Sequence, residues 1–102
     1  MSTTDNKNQN SGGAADERLD LPSVIREAST QISALLQRDV ESVSAVRATD
    51  NGWSAEVEVL ELERVPDTMS VMASYQIELD PQGRLRAYER VRRYARGQID
   101  RR

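Results

Sequence analysis

The sequence predicts an α+β domain: one N-terminal helix packed on an antiparallel meander sheet of three to four strands. Two observations carry this expectation. Apolar residues recur at helical spacing only between about Leu21 and Leu36, after which their period changes to two. The period-two segments are separated by short turn sequences, which join neighbouring strands antiparallel.

The helix is read from "LPSVIREASTQISALLQRD". Pro22 suits a first helical turn, and Glu27 is placed towards the positive end of the helix dipole. Val24, Ile25, Ala28, Ile32, Leu35 and Leu36 form one apolar face, and Arg38 falls near the C-terminal end, where a cation is favoured. "VESVSAVRA" from Val40 is a weakly patterned first strand. "DNG" at 50–52 signals a hairpin, because Asn and Gly tolerate positive φ. In "WSAEVEVLELERV", Trp53, Ala55, Val57 and Val59 alternate with Ser54, Glu56 and Glu58, and then the phase slips to Leu60 and Leu62. A one-residue slip exchanges the faces of a strand, so a β-bulge is expected near Val59–Leu60. "SVMASYQIEL" alternates cleanly, with Val71, Ala73, Tyr75, Ile77 and Leu79 on the core face. "DPQG" at 80–83 is a type I turn sequence.

The last segment, "GRLRAYERVRRYARGQIDRR", admits two readings. As a strand it completes the meander and puts Arg86, Tyr88, Arg90, Arg92 and Tyr94 on one face, away from the helix. As a helix over 84–96 it would align Leu85, Tyr88, Val91 and Tyr94, which are spaced by three. The strand is preferred because a turn precedes it. Residues 1–18 are polar apart from Met1, Ala14 and Ala15, and are expected to be a disordered tail. A single domain is assigned to 19–98, and a basic end to 99–102.

Composition narrows the function. The chain of 102 residues holds no Cys and no His, which removes thiol nucleophiles, disulfides and imidazole acid–base chemistry. The N-terminus has no apolar core of a signal peptide, and no apolar run approaches the roughly 20 residues of a membrane span. A soluble cytoplasmic protein, without membrane contact, is expected. Glu56, Glu58, Glu61 and Glu63 could be paired carboxylates of a glycosidase or a Mg²⁺ site. With no supporting catalytic group, they read instead as the solvated face of a strand. No catalytic residue, cofactor or metal is assigned. Trp53 reads as a core anchor.

Charge is sharply polarised. Residues 1–83 carry a net −9 and residues 84–102 a net +6, for a total of −3. The Arg/Tyr stripe therefore has three readings. Its arginines could cross the third strand to reach Glu56–Glu63. They could bind a protein partner, for which Arg and Tyr are suited. Or they could bind RNA or DNA, with tyrosines stacking on bases. The acidic total and the absence of an RNA-binding sequence element make nucleic acid the least favoured of the three.

Gly52–Trp53, the run from Val57 to Thr68 ("VEVLELERVPDT"), Ala73–Tyr75, Leu79–Asp80, Gly83, and Tyr88 to Gln98 ("YERVRRYARGQ") together resemble the gas vesicle protein O family (GvpO). The likeness spans 52–98. It implies a non-enzymatic accessory protein that supports assembly of gas vesicles, through contacts with other accessory or wall proteins or with a second copy of itself, and a location at or near the vesicle. It supplies no catalytic or ligand residues. It favours a partner-binding role for Arg86, Tyr88, Arg90, Arg92 and Tyr94 over nucleic-acid binding.

Overall fold

A computed structural model describes residues 18–98. Of the tail expected to be disordered, 1–18, and the basic end, 99–102, only Arg18 falls within the described residues, and it is ordered there: its guanidinium donates to the Gly52 and Thr49 carbonyls. The order of elements is helix α1 (Leu21–Leu36) followed by strands β1 (Val40–Thr49), β2 (Gly52–Leu62), β3 (Val71–Leu79) and β4 (Leu85–Ala95). Short 3-10 turns occupy Asp67–Met69 and Arg96–Gln98. The four strands form one antiparallel sheet in the order β1-β2-β3-β4, so the expected meander is present, and the last segment is a strand.

α1 ends where Gln37 takes a left-handed conformation, φ 56°, and its N–H bonds the Ser33 carbonyl. The helix spans the residues over which the apolar spacing runs, Leu21 to Leu36. Arg38 lies beyond it, and Glu27 sits past the first turn, so neither residue is placed at a helix pole. The buried stripe is narrow, Val24, Ala28 and Ile32, while Ile25 and Leu35 are exposed at its margins. The stripe packs on Trp53, Ala55, Val57 and Val59 of β2 and on Ala73, Tyr75, Ile77 and Leu79 of β3. Val40, Val43 and Val46 of β1 close the side of this core.

The helix is anchored at both ends. The Leu19 N–H bonds the Pro81 carbonyl, and the Leu60 N–H bonds the Asp39 carbonyl. Midway, the Gln31 side chain donates to the Gly83 carbonyl (2.6 Å) and accepts from the Leu85 N–H (2.9 Å), which ties α1 to the start of β4. The 80–83 turn closes as its sequence predicts: the Gly83 N–H bonds the Asp80 carbonyl, and Asp80 Oδ1 accepts from the N–H groups of Gln82 and Arg84.

Both edge strands are bulged twice. In β1 the extra residues are Glu41 and Ser44. In β4 they are Arg86 and Val91. The bulge expected near Val59–Leu60 falls one position later, with Glu61 as the extra residue between Leu60 and Leu62. A bulge turns the following side chains to the other face and twists the strand, which also blunts an open sheet edge against strand addition.

Candidate functional site

The bulges of β4 divide the Arg/Tyr stripe between the two faces of the sheet. Tyr88 pairs with Ile77 and Arg90 with Tyr75, both core-face residues, so Tyr88 and Arg90 lie on the helix side. Beyond the Val91 bulge, Arg93 pairs with Ala73 and joins them. Arg92 pairs with Ser74 and Tyr94 with Met72, on the opposite face, while Arg86 is itself the extra residue of a bulge. The expectation of one continuous face made by Arg86, Tyr88, Arg90, Arg92 and Tyr94 is therefore corrected. Strict alternation holds only in an unbroken ladder, and this strand is broken twice.

The face away from the helix is organised around Glu58. Ser44 Oγ donates to Glu58 Oε2 at 2.6 Å, the Tyr94 hydroxyl donates to Oε1 at 2.7 Å, and the Ser74 hydroxyl also donates to Oε1. Arg92 Nε donates to Ser74 Oγ at 3.3 Å, and its guanidinium carbon lies 4.7 Å from the Tyr94 ring centroid. Glu58 is only 9% exposed, and Met72 and Ser74 beside it are buried. This corrects the reading of Glu58 as solvated. The twisted end of β4 folds Tyr94 and Arg92 over the middle of the sheet, and the Ser44 bulge aims a third hydroxyl at the carboxylate.

Burial is the largest single influence on the Glu58 carboxyl and opposes its ionisation. Hydrogen bonds from Ser44, Ser74 and Tyr94, with the charge of Arg92, together outweigh it and hold the pKa below the ordinary 4.5. A lowered folded-state pKa means that the unfolded chain binds more protons. The stability from Glu58 is therefore present above about pH 4.5 and lost as pH falls through the folded value. Tyr94 is the reverse case. Burial, then the Glu58 carboxylate, push its pKa up to about 12, so its contribution is intact below pH 10 and is lost between pH 10 and about 12. Tyr94→Phe removes one donor from a buried carboxylate and should cost about 1–3 kcal/mol at neutral pH. It should also flatten part of the alkaline loss. Urea unfolding at pH 7 and pH 11 measures both effects.

On the helix side the centre is Glu61, the bulged residue of β2, whose side chain is 11% exposed. Arg93 Nε lies 2.9 Å from Oε1, and Arg90 Nη1 lies 3.3 Å from Oε2. The Tyr75 hydroxyl donates to Oε2 at 3.3 Å, and Arg38 donates to the Glu61 backbone carbonyl. Burial, and then Glu61, raise the Tyr75 pKa. Glu58 and Glu61 thus lie on opposite faces of the sheet and do not form the paired carboxylates that a glycosidase or a shared metal would require. A third link, Arg96 to Glu41 and Asp67 at 3.1 Å each, closes the end of the sheet. Of the three readings of the stripe, the internal one is realised in part: Arg90 crosses β3 to Glu61, though on the helix side of the sheet, and Arg93, from outside the stripe, joins it.

What α1 leaves open is the middle of β4 on its own side. Tyr88 is 48% exposed, and the Arg90 and Arg93 side chains are 46% and 52% exposed. Tyr88 rests against Tyr75, with ring centroids 6.3 Å apart. Trp53 is buried in the core as expected, and the Arg18 guanidinium lies 5.3 Å from its ring centroid. Among the described residues, no helix is long and apolar enough to cross a membrane.

Residues 6–100 match the family model described as gas vesicle synthesis protein GvpO. A gas vesicle protein O of a Streptomyces strain is 55% identical over 78 residues, covering 76% of this chain and 61% of that protein. Gas vesicle protein O1 of Halobacterium salinarum is 38% identical over 65 residues, covering 64% of this chain and 55% of that protein. In Haloferax mediterranei, a gas vesicle protein O is 36% identical over 75 residues, 72% of this chain and 51% of its own. The matched region spans only about half to three fifths of the length of these relatives. No solved structure matches the chain.

Proposed function

The chain belongs to the GvpO family, and on that premise we propose that it is a non-enzymatic accessory protein that supports gas vesicle assembly by binding other vesicle proteins through β4. The observation that carries the reading is the uncovered, rigidly supported middle of that strand, where Tyr88 and Arg90 stand exposed on the helix side. Arg86 adds an exposed cation at the neighbouring bulge. Arg92 and Tyr94 belong to the Glu58 network and support the strand from behind. Arg and Tyr at an interface combine a permanent charge with a large contact area ordered at low entropic cost.

Complementation tests this reading. A vesicle-forming host lacking the gene should make few or no vesicles, and the wild-type chain should restore them, as read by light scattering of intact cells. Unchanged vesicle yield after deletion would contradict it. The competing class is a small RNA-binding module. It would win if the chain bound single-stranded RNA at physiological salt with a steep loss of affinity as salt rises.

A further inference from the structure

We propose that the helix-side half of β4 binds an acidic segment of a partner protein, with an apolar anchor on Tyr88 and Leu35 and carboxylates on Arg90, Arg93 and Arg38. This rests on the reading of β4 as the contact strand, and it names the chemistry of the contact.

The charge count comes first. Three guanidinium groups converge on Glu61, Arg90 and Arg93 through its carboxylate and Arg38 through its backbone carbonyl. Arg90 and Arg93 share the one carboxylate, which leaves that pair with one positive charge over. A guanidinium carries five N–H donors in a fixed fork. Arg93 spends its Nε, and Arg90 one terminal nitrogen, on Glu61. Their remaining donors meet no side-chain acceptor among the described residues, and both groups are about half exposed. Glu61 thus holds two arginine stems in place while leaving most of their forks open. A carboxylate matches such a fork bidentately.

The apolar part lies on the same side of the sheet. Leu35, 49% exposed, stands one helical turn beyond Gln31, on the side of α1 that Gln31 ties to Leu85. Tyr88 faces the same side of the sheet and is steadied by Tyr75. Tyr88, packed on Tyr75, and the exposed Leu35 offer apolar area on the side of the sheet that carries Arg90 and Arg93. Strand addition is not the mode, because Arg86 and Val91 interrupt the ladder edge. A nucleic-acid strand needs a track of several unopposed cations. Here a carboxylate sits at the centre of the cluster.

The test titrates the ¹⁵N-labelled full chain with a synthetic helical peptide of about 18 residues, leucines every third or fourth position with glutamates between them. Parallel arms use the same peptide with lysine for glutamate, and an oligouridine RNA. The acidic peptide should shift the amide signals of Leu35, Tyr88, Arg90 and Arg93, and the lysine peptide should not bind. Arg90→Glu with Arg93→Glu should weaken binding at least about tenfold, while Arg92→Gln should retain it. Absence of binding, shifts confined to the Glu58 face, unchanged affinity in the double reversal, or preferential RNA binding on this surface would each overturn the proposal. Vesicle yield separates it from the reading it rests on. A double reversal that abolishes vesicles although the acidic peptide never binds leaves β4 as the contact strand and removes the acidic segment. Peptide binding as expected, with full vesicle yield in the double reversal, does the opposite.

Discussion

Gly52→Ala should destabilise the domain by roughly 3 kcal/mol or more, a loss visible as a large drop in thermal midpoint. Gly52 opens β2 at φ 146°, a conformation that L side chains rarely adopt. A Cβ built there would lie 2.0 Å from the Leu79 carbonyl oxygen and 2.8 Å from the Asp80 carbonyl carbon. Both are backbone atoms, so no rotamer change relieves the clash. The end of β3 and the Asp80 turn would have to move, and that turn is fixed by its own hydrogen bonds and by the Leu19 contact to Pro81. Gly83→Ala is the internal comparison. It has φ 87°, but its Cβ would meet the flexible end of Leu19 at 2.4 Å. It should cost less than Gly52→Ala, and an equal or larger loss would show that the hairpin has been misread.

Ile77→Ala should cost about 2–5 kcal/mol, the range for truncating a fully buried Ile. Ile77 is at the centre of the core, between Ala55 of β2 and Tyr88 of β4, and has no solvent exposure. Tyr75 and Leu79 flank it on β3, and the half-exposed Tyr88 across from it can settle part of the way into the space, so the loss should lie in the lower part of that range. A domain of this size has a total stability of about 4–12 kcal/mol. The loss should therefore lower the midpoint by at least about 10 °C. Because Tyr88 lies across from Ile77, the same substitution should loosen the proposed contact surface.

The elements were legible because they obey simple periods. The helix, the clean alternation of β3 and the Asp80–Gly83 turn each follow from one local rule, and each stands in the structure; the hairpin signalled at 50–52 also forms, but with positive φ at Gly52 and not at Asn51. The faces of the edge strands were not legible. Val40, Val43 and Val46 face the core at a spacing of three because Glu41 and Ser44 bulge between them. Leu85 and Tyr88, then Arg90 and Arg93, share the helix side for the same reason. A spacing of three inside β4 looked like a helix, yet between two turn-bounded strands it was the mark of a bulge. The burial of Glu58 is not legible, because only the folded sheet brings Ser44, Ser74 and Tyr94 to it, from three different strands. The stripe itself was visible in the sequence. Its division into a supporting half and an open half was not.

That division is the central claim, and vesicle yield per folded molecule tests it most directly. Two variants are compared in a host lacking the native gene, with folding verified by thermal melts. Arg90→Glu with Arg93→Glu leaves the mostly buried Glu61 without its cations and beside two new carboxylates, so it should lose about 3 kcal/mol or more of stability, and each molecule that remains folded should fail to support vesicles. Tyr94→Phe should be less stable, yet each folded molecule should support vesicles as well as wild type does. Full yield from the double reversal, or a loss of yield in Tyr94→Phe beyond its loss of folded protein, would contradict the account.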